Sequence, residues 1–253
     1  MSKGKTIIEF EPSAKRVRAV ADGVTLADST RVRLLRESGL VPVYYFPLED
    51  LRQDLMEASD HRTHCPHKGD ASYWHIDLGE RRIENGLWGY PAPLESRAEL
   101  AGYRAFYWNK MDHWYEEDEE VFVHARDPKV RIDLLASKRR VQVVVGGEIV
   151  ADSRDAIFLH ETGLPTRYYL PRADVRADLL EASALTSACP YKGQAAYHAL
   201  VLGDQRHENI VWYYAQPLPE VGRIEDRLCF FDEKVEAVLI DGERQEKPVT
   251  KWS

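Results

Sequence analysis

Apolar and polar positions alternate along most of this chain, in short runs punctuated by glycine, aspartate and proline. Val17 to Val20 and Val24 to Ala27 alternate on either side of Asp22-Gly23, a tight β-hairpin signature. Val141 to Val145, followed by Gly146-Gly147, repeat it later in the chain. Tyr73 to Leu78, Ile83 to Tyr90, Tyr103 to Trp108 and Asp112 to Glu116 read as further strands rich in aromatic residues. Val235 to Ile240, closed by Asp241-Gly242, read as the last. A helix fits after Pro47, where Asp50 stands as a cap and Leu51 and Leu55 are spaced i, i+4; Val175 and Leu179 repeat that spacing. The pattern predicts a mainly β protein with one short helix in each half.

The halves are copies. A shift of 124 residues brings Ala27-Asp28-Ser29 onto Ala151-Asp152-Ser153 and Tyr44-Tyr45 with Pro47 onto Tyr168-Tyr169 with Pro171. The same shift brings Cys65-Pro66 with Lys68-Gly69 onto Cys189-Pro190 with Lys192-Gly193. Glu84-Asn85 with Trp88 and Tyr90 meet Glu208-Asn209 with Trp212 and Tyr214. Between Ala27 and Leu94 about 32 of 68 positions are identical, without a gap. So long a period is a domain with its own core rather than a solenoid unit. The expected domains are 15–122 and 138–248, joined through His124-Ala125-Arg126-Asp127-Pro128, where Asp-Pro marks a turn.

Composition narrows the class. The 34 basic and 42 acidic side chains leave a net charge of −8, which argues against broad binding to a phosphate backbone. No apolar run reaches the roughly 18 residues of a membrane span, and the first residues lack the apolar stretch of a secretory signal. Three scattered cysteines, Cys65, Cys189 and Cys229, do not make a disulfide framework. A cytoplasmic protein with no nucleic-acid or membrane partner is expected.

Two repeated features carry candidate chemistry. In Cys-Pro-x-Lys-Gly, proline suits a type I turn and the glycine a left-handed position, bringing Cys65 near Lys68 and Cys189 near Lys192. An ammonium beside a thiol favours the thiolate, which makes Cys65, Lys68, Cys189 and Lys192 candidate catalytic residues. The alternative is a cysteine packed as a small apolar residue. Along the strand from Glu84 to Tyr90, strict alternation puts Glu84, Trp88 and Tyr90 on one face, as it does Glu208, Trp212 and Tyr214. With Tyr73 and Tyr197 these residues make a candidate aromatic and acidic pocket for a planar or cationic ligand, the alternative being plain core. The tandem tyrosines face opposite ways, so at most one of each pair joins such a pocket.

Other features point to structure. His61, His64, Cys65, His67 and His75 have zinc-ligand chemistry, but Leu185, Ala188, Cys189, Tyr191 and Ala199 replace them in the second copy, so no metal is expected. Asp28-Ser29 and Asp152-Ser153 read as turns bonding their own backbone. The acidic run Glu116 to Glu120 reads as a solvated strand end and turn. No P-loop, dinucleotide glycine fingerprint or zinc-protease helix occurs.

Taken together, the Ala-Asp-Ser hairpin, Tyr-Tyr-x-Pro, Cys-Pro-x-Lys-Gly and Glu-Asn-x-x-Trp-x-Tyr resemble domain-of-unknown-function family 427, a bacterial and fungal family, in two tandem copies covering nearly the whole chain. The resemblance implies a β-tent fold, two small antiparallel sheets meeting at an angle, as in B-class methionine sulfoxide reductases and the drug-binding domain of cereblon. Many proteins of that fold hold zinc with two Cys-x-x-Cys pairs, and this chain has neither. The family is sometimes labelled nucleotidyltransferase-like, but the Gly-Ser segment and paired aspartates that would hold magnesium and a triphosphate do not occur here. The expectation is a small-molecule-binding module without a cofactor. A thiol-dependent transferase or hydrolase, and a structural or interaction protein, are the alternatives. Differences such as His67 against Tyr191 suggest that the two sites are not equivalent.

Overall fold

A computed structural model describes residues 6–250. The chain divides into two compact units at Asp127/Pro128, the Asp-Pro step that punctuates the sequence.

The first unit has eleven strands: β1 (Ile8–Pro12), β2 (Val17–Ala21), β3 (Val24–Ser29), β4 (Arg33–Glu37), β5 (Val43–Pro47), β6 (Met56–Cys65), β7 (Gly69–Asp77), β8 (Arg82–Gly89), β9 (Tyr103–Phe106), β10 (His113–Glu116) and β11 (Glu119–Glu120). A seven-stranded sheet runs β1-β4-β5-β9-β8-β7-β6, and a four-stranded sheet runs β11-β10-β2-β3. The second unit repeats all eleven: β12 (Ile132–Ser137), β13 (Val141–Val145), β14 (Glu148–Ser153), β15 (Ala156–Glu161), β16 (Arg167–Leu170), β17 (Leu180–Cys189), β18 (Gly193–Leu202), β19 (Gln205–Tyr213), β20 (Leu228–Phe230), β21 (Ala237–Ile240) and β22 (Glu243–Arg244). Its sheets have the same order, β12-β15-β16-β20-β19-β18-β17 and β14-β13-β21-β22. The protein is therefore mainly β and a tandem duplication of one antiparallel two-sheet domain. Each copy starts earlier than positions 15 and 138, because β1 pairs along all of β4 and β12 along all of β15.

Alternation decides which side chains meet. Tyr44, Phe46, Leu87, Phe106 and Ile76 point from the large sheet into a core shared with Val17, Ala19, Leu26 and Trp114 of the small one. Tyr45, Ala71, Tyr73, Tyr90 and Ala105 face the other way and are covered by Leu100, from the 3-10 stretch Glu95–Leu100. The second unit builds the same two layers, with Tyr168 inward and Tyr169 outward. The tandem tyrosines thus divide between the faces, as alternation requires.

The short helix after Pro47 takes the form of two single 3-10 turns, Leu48–Asp50 and Gln53–Leu55. Leu51 is extended between them because it bridges to Ala27 while the Arg52 N–H bonds the Leu26 carbonyl, which draws the chain onto the small sheet. Arg172–Asp174 and Ala177–Leu179 repeat this around Val175. Asp50 makes no helix cap. Its carboxylate accepts the Ser29 hydroxyl at 2.5 Å, and Asp174 accepts that of Ser153 at 2.6 Å. The serines also close their own turns, bonding the N–H groups of Arg31 and Asp155. The acidic run is not wholly solvated, since Glu116 is buried, accepting the Tyr44 hydroxyl at 2.8 Å and pairing with Lys15. Among the described residues no helix is long and apolar enough to cross a membrane.

Candidate functional site

The Cys-Pro-x-Lys-Gly segment joins β6 to β7. The Lys68 N–H bonds the Cys65 carbonyl at 3.2 Å, and Gly69 takes φ +99°, so the turn has the geometry its sequence predicts. Lys192 and Cys189 repeat the bond at 3.3 Å, with Gly193 at φ +97°. Leu94 and Leu218 return to bond the carbonyls of Lys68 and Lys192, tying the cover of the outer face to the hairpin.

The turn does not aim its lysine at the thiol alone. Lys68 is buried and its ammonium sits on the carboxylate of Glu37, at the end of β4; Lys192 pairs in the same way with Glu161. Each ammonium therefore already has an anion, which weakens the case for Cys65 and Cys189 as lysine-activated nucleophiles. Both thiols lie at the half-buried edge of the hairpin, whereas Cys229 is fully buried and burial holds its thiol well above the usual range.

Most of the other sequence-predicted residues converge beside this pair. Tyr73, Trp88 and Tyr90 share the outer face with Tyr45, Tyr107 and Cys65. Tyr197, Trp212 and Tyr214 share it with Tyr169 in the second unit. The Trp212 indole N–H donates to the Tyr169 hydroxyl at 3.1 Å, and the rings of Tyr45 and Trp88 hold the same edge-on relation at 6.3 Å. The Tyr73 hydroxyl bonds Thr63 at 2.8 Å, and that of Tyr197 bonds Ser187 at 2.7 Å. Burial raises the ionisation of Tyr45, Tyr90, Tyr169 and Tyr214 well above the tyrosine range, and burial with a bond to Tyr73 pushes Tyr107 up to about 12. These phenols stay protonated at neutral pH, so they position and donate hydrogen bonds rather than act as bases.

Glu84 and Glu208 stand apart. Both are exposed, and both pair with the arginine two residues earlier, Arg82 or Arg206. The strand is not regular between glutamate and tryptophan. Asn85 and Asn209 adopt positive φ, and the ladder skips from Ile76↔Ile83 to Trp74↔Leu87, which carries Glu84 out to the rim. Glu37 and Glu161 are the carboxylates that reach the aromatic face. The repeat contained their signal, because they match under the same 124-residue shift.

The faces differ in access. Trp88 is only partly buried and packs on Tyr107 at 4.4 Å. Trp212 is 7% exposed, packs on Phe231, and has the Arg167 guanidinium over its ring at 5.5 Å. Arg167 is fixed there by two bonds to Glu233, at 2.8 and 2.6 Å. Burial opposes the charge of Glu233, but bonds from Arg167 and Thr250 hold its carboxyl down at about 2. Val43 and Asn109 occupy these positions in the first unit.

The histidines of the first unit scatter. His64 pairs with Asp70 at 2.6 Å, His75 with Glu84 at 2.6 Å, and His61 packs on the Tyr73 ring. Among the described residues no three His, Cys, Asp or Glu side chains gather as a metal site. An open groove of about 610 Å³ runs along the β6–β7 hairpin, lined by Arg62, Thr63, His64, Asp70 and Ser72 with Pro91 and Ala92.

No curated protein matches the chain. The model of the family described as Domain of unknown function (DUF427) matches twice, over residues 9–117 and 133–241, and those spans hold both Lys–Glu pairs and both aromatic faces. The chain belongs to that family, as two tandem copies of its domain.

Proposed function

We propose that the protein binds a small planar molecule on the outer aromatic face of its first unit, against Trp88 and Tyr107 and beside Cys65. The observation that carries this reading is the unequal cover of two otherwise repeated faces: Trp88 is left partly open where Trp212 lies under Arg167. A flat ligand gains stacking on Trp88, and the hydroxyls of Thr63 and Tyr73 offer hydrogen bonds at its edge. Cys65 contributes as a small polarisable wall. Three unpaired cysteines are in keeping with a reducing, cytoplasmic setting for this activity. The thiol-enzyme reading is the weaker one, since Lys68 is neutralised by Glu37.

Saturation-transfer NMR with a panel of nucleobases and cationic heteroaromatics tests the proposal. Trp88→Leu should abolish the signal of any nucleobase hit, while Trp212→Leu leaves it intact. A panel without a hit, or equal loss in both variants, refutes it.

A further inference from the structure

The two units differ most in side-chain volume at the mouth between their sheets. In the first, Trp108 stacks on Trp114 at 4.4 Å with the rings 6° from parallel, and Val121 closes over them. The Val121 N–H bonds the Trp114 carbonyl at 2.8 Å. In the second unit the backbone is unchanged, the Gln245 N–H bonding the Val238 carbonyl at 2.8 Å, but the side chains are not. Asp232 replaces Trp108, Val238 replaces Trp114 and Gln245 replaces Val121. Where the first unit has two indoles the second has a carboxylate and an isopropyl group, and a cavity of about 240 Å³ lies there. Pro165, Tyr168, Val238 and Pro248 wall it, with Asp232 as the buried acid.

We propose that this cavity is a binding site for a small aromatic amine, its ring lying against Tyr168 and Val238 where the indole pair of the first unit lies, and its ammonium on Asp232. The geometry favours this class. Pro165, Tyr168, Val238 and Pro248 give the cavity an apolar side, Thr166, Gln245, Glu246 and Lys247 line the rest, and the deepest acid, Asp232, has its ion-pair partner Arg167 3.9 Å away, already carrying the bidentate bonds of Glu233. An ammonium would give Asp232 the close partner that Arg167 does not.

The groups facing Asp232 are Arg167 and Tyr168 of β16, the buried Cys229 of β20, its neighbour Glu233, and Glu246 and Lys247 of the closing segment. Burial pushes the Asp232 carboxyl up to about 7, with Glu233 adding to the rise and Arg167 opposing it. An amine stays protonated across this range, so its binding should expel a proton from Asp232 below pH 7.

Calorimetric and NMR titration of the full chain with tryptamine, indole and indole-3-acetate tests the site. Tryptamine is expected to bind best and indole-3-acetate not at all. Tryptamine affinity should rise by up to about tenfold per pH unit below pH 7 and level off above it. Asp232→Asn should weaken tryptamine at least tenfold at pH 8 while changing indole little, and Val238→Trp should block both. If Val238→Trp does not fold, amide shifts confined to Asp232, Tyr168 and Gln245 in the unaltered protein locate the ligand instead. Equal affinity for amine and acid, no saturable binding of tryptamine, or shifts centred on Trp88 would overturn the assignment. Because Trp88 lies in the other unit, Trp88→Leu leaves this binding unchanged, and the two sites stand or fall separately.

Discussion

Lys68 sets its ammonium on the carboxylate of Glu37, 31 residues earlier in the chain, where both side chains are nearly sealed from water. The pair pins the β6–β7 hairpin to the far half of the same sheet. Breaking one member of such a buried pair strands the other charge, at a cost of about 3–5 kcal/mol. Glu37→Gln and Glu161→Gln should each lower stability by that order in urea unfolding, whereas Glu37→Leu combined with Lys68→Met should recover much of the loss. Equal losses in the single and double variants would mean that packing, not charge, holds the hairpin.

Gly69 and Gly193 combine a positive φ with close backbone neighbours. A Cβ on Gly69 would lie 3.2 Å from the Leu94 nitrogen, and one on Gly193 would lie 3.3 Å from the Gln216 carbonyl oxygen. Gly69→Ala and Gly193→Ala should each cost about 1–3 kcal/mol. Thermal unfolding of the two variants checks this, and a neutral result would mean that the covering loop can shift aside freely.

Trp114 is buried and has Trp108 stacked over it. Trp114→Ala should destabilise the first unit by about 3–5 kcal/mol. Val238→Ala, at the matching place in the second unit, removes far less contact and should cost well under half as much.

Asp232 keeps its proton up to about pH 7, chiefly because it is buried, whereas an unfolded aspartate loses its proton near 3.9. Between those values unfolding releases a proton, so this group makes stability fall as pH rises from about 4 to 7. Asp232→Asn removes that part of the decline. The variant should match the parent near pH 4 and exceed it by about 2–4 kcal/mol at pH 8. A constant difference across the range would show that Asp232 titrates normally.

Thiol labelling separates the cysteines by access. Iodoacetamide should modify Cys65 and Cys189 in the folded protein and reach Cys229 only after unfolding, because Cys229 is fully buried. Peptide mass mapping reads this directly, and native labelling of Cys229 would contradict the packing described.

The repeat and the alternation of Val17 to Ala27 made the duplication and the hairpins legible in sequence. They also grouped Tyr73, Trp88 and Tyr90, and the structure adds Cys65 to the same face. Glu84 escaped that logic because the positive φ of Asn85 interrupts the strand, and alternation counts assume none. Strands β1 and β12 lay outside the expected boundaries, being edge strands whose pairing is set by β4 and β15 rather than by a turn of their own. The Arg167–Glu233 lock left no trace in the repeat, since only one copy has it.

Every strand of either unit finds its ladder partners within that unit. A substitution that weakens the strands of one unit therefore breaks no ladder of the other. A chain with such a doubled framework can hold an aspartate at the place where its sibling stacks an indole, each wall being closed by its own unit's side chains.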